Sequence, residues 1–192
     1  MKVAGLILAA GESRRMGSPK ALLELEGETF LDRLTGLFAQ FTRPVVVVLG
    51  CHAEVIRAGV RHPEWMEFIV NPDYSRGQLS SMQCGLRAIP EEAEGVLFTL
   101  VDHPSVRRST IQALLSHPEA ALAIPVCQGL RGHPIFFRRE LIPEFLEPAV
   151  DSAKTVVRRH AARTCLVEVD DAGVLVDIDD LAAYRSLIGA AP

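Results

Sequence analysis

The 192-residue chain is short of several things, and each shortage excludes a class. It has four cysteines, at 51, 84, 127 and 165, and no Cys-x-x-Cys pair, so neither a zinc ribbon nor a disulfide scaffold is indicated. Cysteines this sparse, beside apolar or small neighbours, read as reduced, packed thiols of a cytoplasmic protein. No apolar run approaches the ~18 residues of a membrane span. The opening run Val3 to Ala10 is eight residues long, ends at Gly11 and is followed by Arg14-Arg15, which is not the pattern of a cleaved signal peptide. Positive charge is also in deficit: 20 Lys plus Arg against 24 Asp plus Glu leaves a net charge of −4. That argues against binding long nucleic acids by neutralising their backbone, but leaves room for a local cationic pocket. Neither a Walker A loop nor a Gly-x-Gly-x-x-Gly fingerprint is present.

What is present is an alternation. Val3 to Ala9, Pro44 to Leu49, Phe68 to Val70, Gly95 to Val101 and Ala120 to Ile124 are continuous aliphatic runs, the texture of strands buried on both faces. Between them, Thr29 to Phe41, His52 to Val60, Leu79 to Ile89 and Val106 to Ser116 repeat apolar residues three and four apart, as amphipathic helices do. This predicts a three-layer α/β/α Rossmann-like fold with a mostly parallel sheet. Further strands are expected at Pro134 to Phe137, Arg163 to Val169 and Val174 to Ile178, the last two joined by a turn at Asp171-Ala172-Gly173. A basic helix is expected over Ser152 to His160 and a closing helix over Asp179 to Ile188, capped by Asp179 or Asp180. Residues 1–192 read as one domain.

Chemistry concentrates after the first strand, in Leu8-Ala9-Ala10-Gly11-Glu12-Ser13-Arg14-Arg15-Met16-Gly17-Ser18-Pro19-Lys20. Ligands bind beyond the carboxyl ends of parallel strands. Small residues there let backbone N–H groups approach phosphates, and Arg14, Arg15 and Lys20 bring three positive charges to an acidic chain. Asp102 follows another strand and would face the same crevice, where a carboxylate suits Mg²⁺ held with phosphate oxygens.

These segments, followed in order by Asn71-Pro72-Asp73-Tyr74-Ser75-Arg76-Gly77-Gln78-Leu79-Ser80-Ser81, Leu100-Val101-Asp102-His103-Pro104, Gly132-His133-Pro134-Ile135 and Val176-Asp177-Ile178-Asp179-Asp180, resemble the MobA-like molybdenum cofactor nucleotidyltransferases. The resemblance spans residues 3 to about 188 and implies the nucleotide-diphospho-sugar transferase fold. It also implies a Mg²⁺-dependent transfer of a nucleoside monophosphate from a triphosphate, with release of pyrophosphate. Leu8, Ala9, Ala10, Gly11, Arg14, Arg15, Lys20, Asn71, Gly77 and Ser81 would bind the nucleotide. Arg15, Lys20 and Asp102 would be catalytic, His133 would contact the acceptor, and Asp102 with Asp179 would hold the metal, Asp177 being the alternative. Asn71 is equally an ordinary turn former, His133 equally a structural turn histidine, and His103 a supporting group for Asp102.

Ala9-Ala10-Gly11 and the Asn-Pro-Asp-Tyr segment resemble the cytidylyl branch, which implies CTP and molybdopterin as substrates and a molybdoenzyme or maturation chaperone as protein partner. A methyl group on residue 10 narrows a base pocket against a purine. The chain departs from its relatives at 149–159, which lacks their Gly-Asp-x-Gly-Ala-Arg segment. Lys154, Arg158 and Arg159 there either grip an acidic acceptor or form the polar side of a surface helix. The rival readings are a transferase using GTP or acting on a sugar or polyol phosphate, and a noncatalytic chaperone that carries the cofactor.

Overall fold

Aliphatic runs that cannot be solvated on either face form the middle of a sheet, and helices with one apolar face cover it. A computed structural model describes residues 1–189. In chain order the elements are β1 (Val3–Ala9), β2 (Glu24–Leu25), β3 (Glu28–Thr29), α1 (Phe30–Phe38), β4 (Val45–Leu49), α2 (Ala53–Gly59), β5 (Glu67–Val70), α3 (Gln78–Leu86) and β6 (Gly95–Leu100). They continue with α4 (Arg108–Leu115), β7 (Leu122–Cys127), β8 (Leu130–Arg131), β9 (Ile135–Arg138), α5 (Ile142–Phe145), α6 (Ala153–Arg159), β10 (Thr164–Glu168) and α7 (Leu181–Gly189).

The main sheet has the order β10-β7-β9-β6-β1-β4-β5, with β8 pairing β7 beside it. Strand β1 is buried along its whole length because it has parallel neighbours on both sides, Ile7 lying opposite Val47 of β4 and Thr99 of β6. Alternate side chains then feed two cores. Ile7, Val47 and Leu97 pack on one face with Leu31 and Leu34 of α1 and with Ile111 of α4. Leu6, Val48 and Phe98 pack on the other with Met82 of α3, Phe145 of α5 and Val156 of α6. At about 2 kcal/mol per fully buried large apolar side chain, these two faces carry the fold. Helix α1 starts where it does because Thr29 Oγ1 accepts from the Asp32 N–H (3.0 Å) while the buried Asp32 carboxylate accepts from Thr29 Oγ1 and from the amides of Arg61 and His62.

The chain leaves β1 for β4 and β5 on one side, then returns to β6 on the other. That reversal opens a crevice beyond the carboxyl ends of β1 and β6. Strand β9 enters antiparallel between β6 and β7, so the later third completes the same sheet.

Three expectations are corrected. Val174 to Ile178 is not a strand: Ala172–Leu175 is a turn of 3-10 helix, and the segment crosses the strand ends instead of running along the sheet edge. It is held there by His133 N–H to Val174 O (3.0 Å) and Ile178 N–H to Asp102 O (3.0 Å). A Cβ on Gly132 would stand 2.3 Å from Val174 O, so only glycine permits this crossing. Secondly, Asp171-Ala172-Gly173 is not a turn between two strands: Asp171 is a buried carboxylate that accepts from Arg107 N–H (2.8 Å), Thr110 Oγ1 (2.6 Å) and Gly173 N–H (3.0 Å), fastening the segment to the start of α4. Thirdly, of the four thiols only Cys127 is buried; Cys84 and Cys165 are half-buried and Cys51 is exposed. Among the described residues no helix is long and apolar enough to cross a membrane.

Candidate active site

The loop after β1 is shaped by its own backbone. Ser13 sits in the left-handed region (φ 51°), and its hydroxyl accepts the Lys20 N–H at 3.0 Å, closing residues 13–20 into a lip anchored by buried Met16. His52 Nε2 and Glu12 O, 3.1 Å apart, brace the other side. Gly50 has to be glycine here, because a Cβ would stand 2.4 Å from Ala10 O and 2.7 Å from the Tyr74 side chain. Together these form one wall of a cleft of about 580 Å³ lined by Leu8, Ala9, Ala10, Gly11, Ser13, Arg14, Arg15, Lys20, Tyr74, Gly77, Gln78, Ser81, Asp102, Asp177 and Asp179.

Asp102 stands just past β6, tied to β1 by Val101 N–H to Leu8 O (3.0 Å). Because the Ile178 N–H bonds Asp102 O, the residues on either side of buried Ile178 arrive at the same place. The two carboxylates take different partners. Lys20 Nζ donates to Asp102 Oδ2 (3.1 Å) and to Asp179 Oδ1 (2.8 Å), and Arg15 Nη2 reaches Asp179 Oδ2 at 3.5 Å. Asp177 instead groups with Asp102 and His103, one ligand atom from each lying within 4.8 Å of the others. Asp180, not Asp179, caps α7, its Oδ1 accepting the Ala183 N–H at 2.9 Å, which leaves Asp179 free to face the cleft.

The electrostatics follow from this geometry. Burial works to lower the Lys20 pKa, but the hydrogen bonds and charges of Asp179 and Asp102 outweigh it and hold the ammonium above its ordinary value. The Lys20 hydrogen bond and charge, aided by Arg15, keep Asp179 below the usual carboxylate range. Burial, and then the charges of Asp102 and Asp179, push Asp177 up. A carboxylate penalised in this way is one that a bound cation relieves. Asp102 Oδ1 is buried with no hydrogen-bond partner among the described residues, an orphan that fits the same demand.

Not every expected nucleotide contact lines the cleft. Gly77 and Ser81 do, but Asn71 lies behind the wall with its polar atoms spent: Nδ2 donates to Ser80 and Ser81 Oγ (3.0 Å each), and Oδ1 accepts the Asp73 N–H (3.0 Å). It is the turn former of the two readings, positioning Ser81. Arg14 lines the cleft but is largely exposed and pairs with Glu12. Tyr74 and Gln78 were missed as wall residues, since nothing in a Tyr or Gln beside a turn announces a ligand.

A second cleft, of about 590 Å³, shares Gly77 and Gln78 with the first. Leu79, Met82, Phe98 and Ile124 give it apolar walls, Arg76, Arg131, Lys154 and Arg158 a cationic border, and His133 lines it as well. Arg159 turns away to Glu147 (2.9 Å), so α6 offers two of its three cations to this cleft. The His133 ring lies 4.7 Å from that of His103, and its Nδ1 is buried without a partner among the described residues. Burial first, then the charge of His103, pushes the His133 pKa down to about 4. Folded His133 is therefore neutral where the unfolded chain is protonated, and stability falls as pH drops from about 6.5 toward 4. Part of the ring stays open to the cleft, so the loss is at most about 3 kcal/mol. Chemical denaturation at pH 7 and pH 4.5 should show this loss in the wild type and a smaller one in His133→Asn; equal losses would refute it.

The crevice thus pairs a cationic, amide-bearing loop with three converging carboxylates beside a second, partly apolar cleft. Comparison with known proteins points the same way. The chain is 26% identical over 175 residues to the molybdenum cofactor cytidylyltransferase of Escherichia coli, covering 91% of this chain and 89% of that protein. It is 30% identical over 190 residues to the purine catabolism protein PucB of Bacillus subtilis, covering 94% and 93%. The crystal structure of Rv0371c from Mycobacterium tuberculosis superposes with a TM-score of 0.85 at 27% identity, covering 98% of each chain. Residues 5–165 match the MobA-like NTP transferase domain, and the chain belongs to that family of nucleotidyltransferases.

Proposed function

We propose that this chain transfers CMP from CTP to the phosphate of molybdopterin. The observation that carries the reading is Lys20 held between Asp102 and Asp179 at the mouth of the first cleft. An acceptor phosphate oxygen attacks the α-phosphorus in line; the new P–O bond forms as the bond to the β-phosphate oxygen breaks, and pyrophosphate leaves with that electron pair. No covalent intermediate on the protein is needed, so positioning and charge stabilisation do the work. Amides of residues 10–13 and the side chains of Arg15 and Lys20 meet the triphosphate, and Lys20 exchanges its carboxylate partners for phosphate oxygens as negative charge builds on the leaving group. A divalent cation, Mg²⁺ being the usual one with phosphates, would be held by Asp102 with Asp177 or Asp179 and would offset charge on the bridging phosphate oxygens.

The choice of CTP is supported by the residue that opens the loop after β1. Ala10 lines the first cleft together with Tyr74, and its methyl group narrows a base pocket against a purine. The name of the Escherichia coli relative agrees with cytosine. For the acceptor, the apolar walls and cationic border of the second cleft suit a flat heterocycle bearing a phosphate. Incubating the purified protein with molybdopterin, a divalent cation and either CTP or GTP, with product masses read by mass spectrometry, should give the cytosine dinucleotide at least ~10-fold faster than the guanine one. Faster reaction of GTP would overturn the choice of base, and pyrophosphate release only with a sugar or polyol phosphate would overturn the acceptor.

A further inference from the structure

We propose that His103 is a direct nitrogen ligand in the cation site, which is Asp102–His103–Asp177 and therefore favours Mn²⁺ over Mg²⁺. This deepens the reading above and rests on it for the identity of the site. The first observation is the way Asp102 is divided. Its Oδ2 is taken by Lys20, which also occupies Asp179, so the ammonium already stands between those two carboxylates. Asp102 Oδ1 faces elsewhere, buried and unpaired.

The second observation is what it faces. His103 Nε2 lies 3.8 Å from Asp102 Oδ1, too far for a hydrogen bond. The His103 side chain is only 9% exposed, and its Nδ1 is also buried without a partner among the described residues. Two atoms bound to one cation at about 2.0–2.2 Å lie at most about 4.4 Å apart, and 3.8 Å is already within that limit. Asp177 completes the group, all three ligand atoms lying within 4.8 Å of one another. A histidine that merely supported Asp102 would bond to it; here the two atoms stand at a separation that a single cation can span.

The ligand set decides the metal. Mg²⁺ demands oxygen ligands in a tight octahedron and sheds water reluctantly, whereas Mn²⁺ and the later divalent metals accept imidazole nitrogen. His103 thus adds affinity for Mn²⁺ that it withholds from Mg²⁺.

The test uses the full chain loaded with MnCl₂ or MgCl₂, without nucleotide. Pulsed EPR of the Mn²⁺ complex should show ¹⁴N coupling from one directly bound imidazole, and His103→Asn should abolish it. By titration calorimetry, His103→Asn should raise the Kd for Mn²⁺ at least ~10-fold while changing that for Mg²⁺ less than ~3-fold. No nitrogen coupling in the wild type, or coupling that survives His103→Asn, overturns the proposal without any need for the variant to be active. CMP transfer by the wild type with Mg²⁺ is scored separately. Transfer without nitrogen coupling sinks only the ligand set, and nitrogen coupling without transfer sinks only the proposed reaction.

Discussion

Replacing Asp102 by Asn is expected to lower turnover at least ~100-fold, about 2.7 kcal/mol of transition-state stabilisation. The substitution keeps shape and removes charge. Lys20 retains Asp179 as a partner, so the lip stays in place, while the site loses the one carboxylate shared between the ammonium and the Asp177–His103 group. Asn can present an oxygen at the position of Oδ1, but a neutral one, which neither offsets a dication nor orients Lys20. Single-turnover CMP transfer at saturating divalent cation, with the unfolding midpoint as a check on folding, measures this. Turnover within a few-fold of wild type in a folded variant would remove Asp102 from the chemistry.

The second large effect is expected at Lys20. Lys20→Ala should also cost at least ~100-fold in turnover, and Lys20→Arg should not restore it. The Nζ fits between Asp102 Oδ2 and Asp179 Oδ1 as a point charge whose side chain is 14% exposed, and a planar guanidinium cannot enter that space without displacing one of them. Nucleotide affinity should fall alongside turnover, because the same ammonium that balances the carboxylates in the free protein grips phosphate in the complex. Near-normal turnover with Lys20→Ala would show that the lip holds phosphate without this ammonium, and rescue by Arg would show that any cation at this position suffices.

Much of this is legible in the amino-acid sequence alone. Val3 to Ala9, Pro44 to Leu49 and Gly95 to Val101 read as strands because a strand buried on both faces has no polar face to disguise it, and these form β1, β4 and β6. The loop at 10–20 is legible because its chemistry is contiguous in sequence. The misread segment, Val174 to Ile178, shows the limit. Its apolar residues are real and Val174 and Ile178 are buried, but they are buried by crossing the strand ends, under Gly132 and beside Asp102, and local pattern records burial without direction. Asp171 was hidden for the same reason: its partners, Arg107 and Thr110, are more than sixty positions away.

The amino-acid sequence by itself determined the layered α/β fold, the cationic loop and the strand-end carboxylate, because hydrophobic period and contiguous charge are local properties. Only the tertiary structure decided how the acidic segment is divided. Asp180 caps a helix, Asp179 meets Lys20, Asp177 joins His103, and Asp171 is buried as a fastening. Near neighbours in the chain with the same side chain are separated by a single backbone hydrogen bond, Ile178 to Asp102, and by which way each then points. That direction is set by packing across 76 positions (178 − 102), which no window along the chain contains.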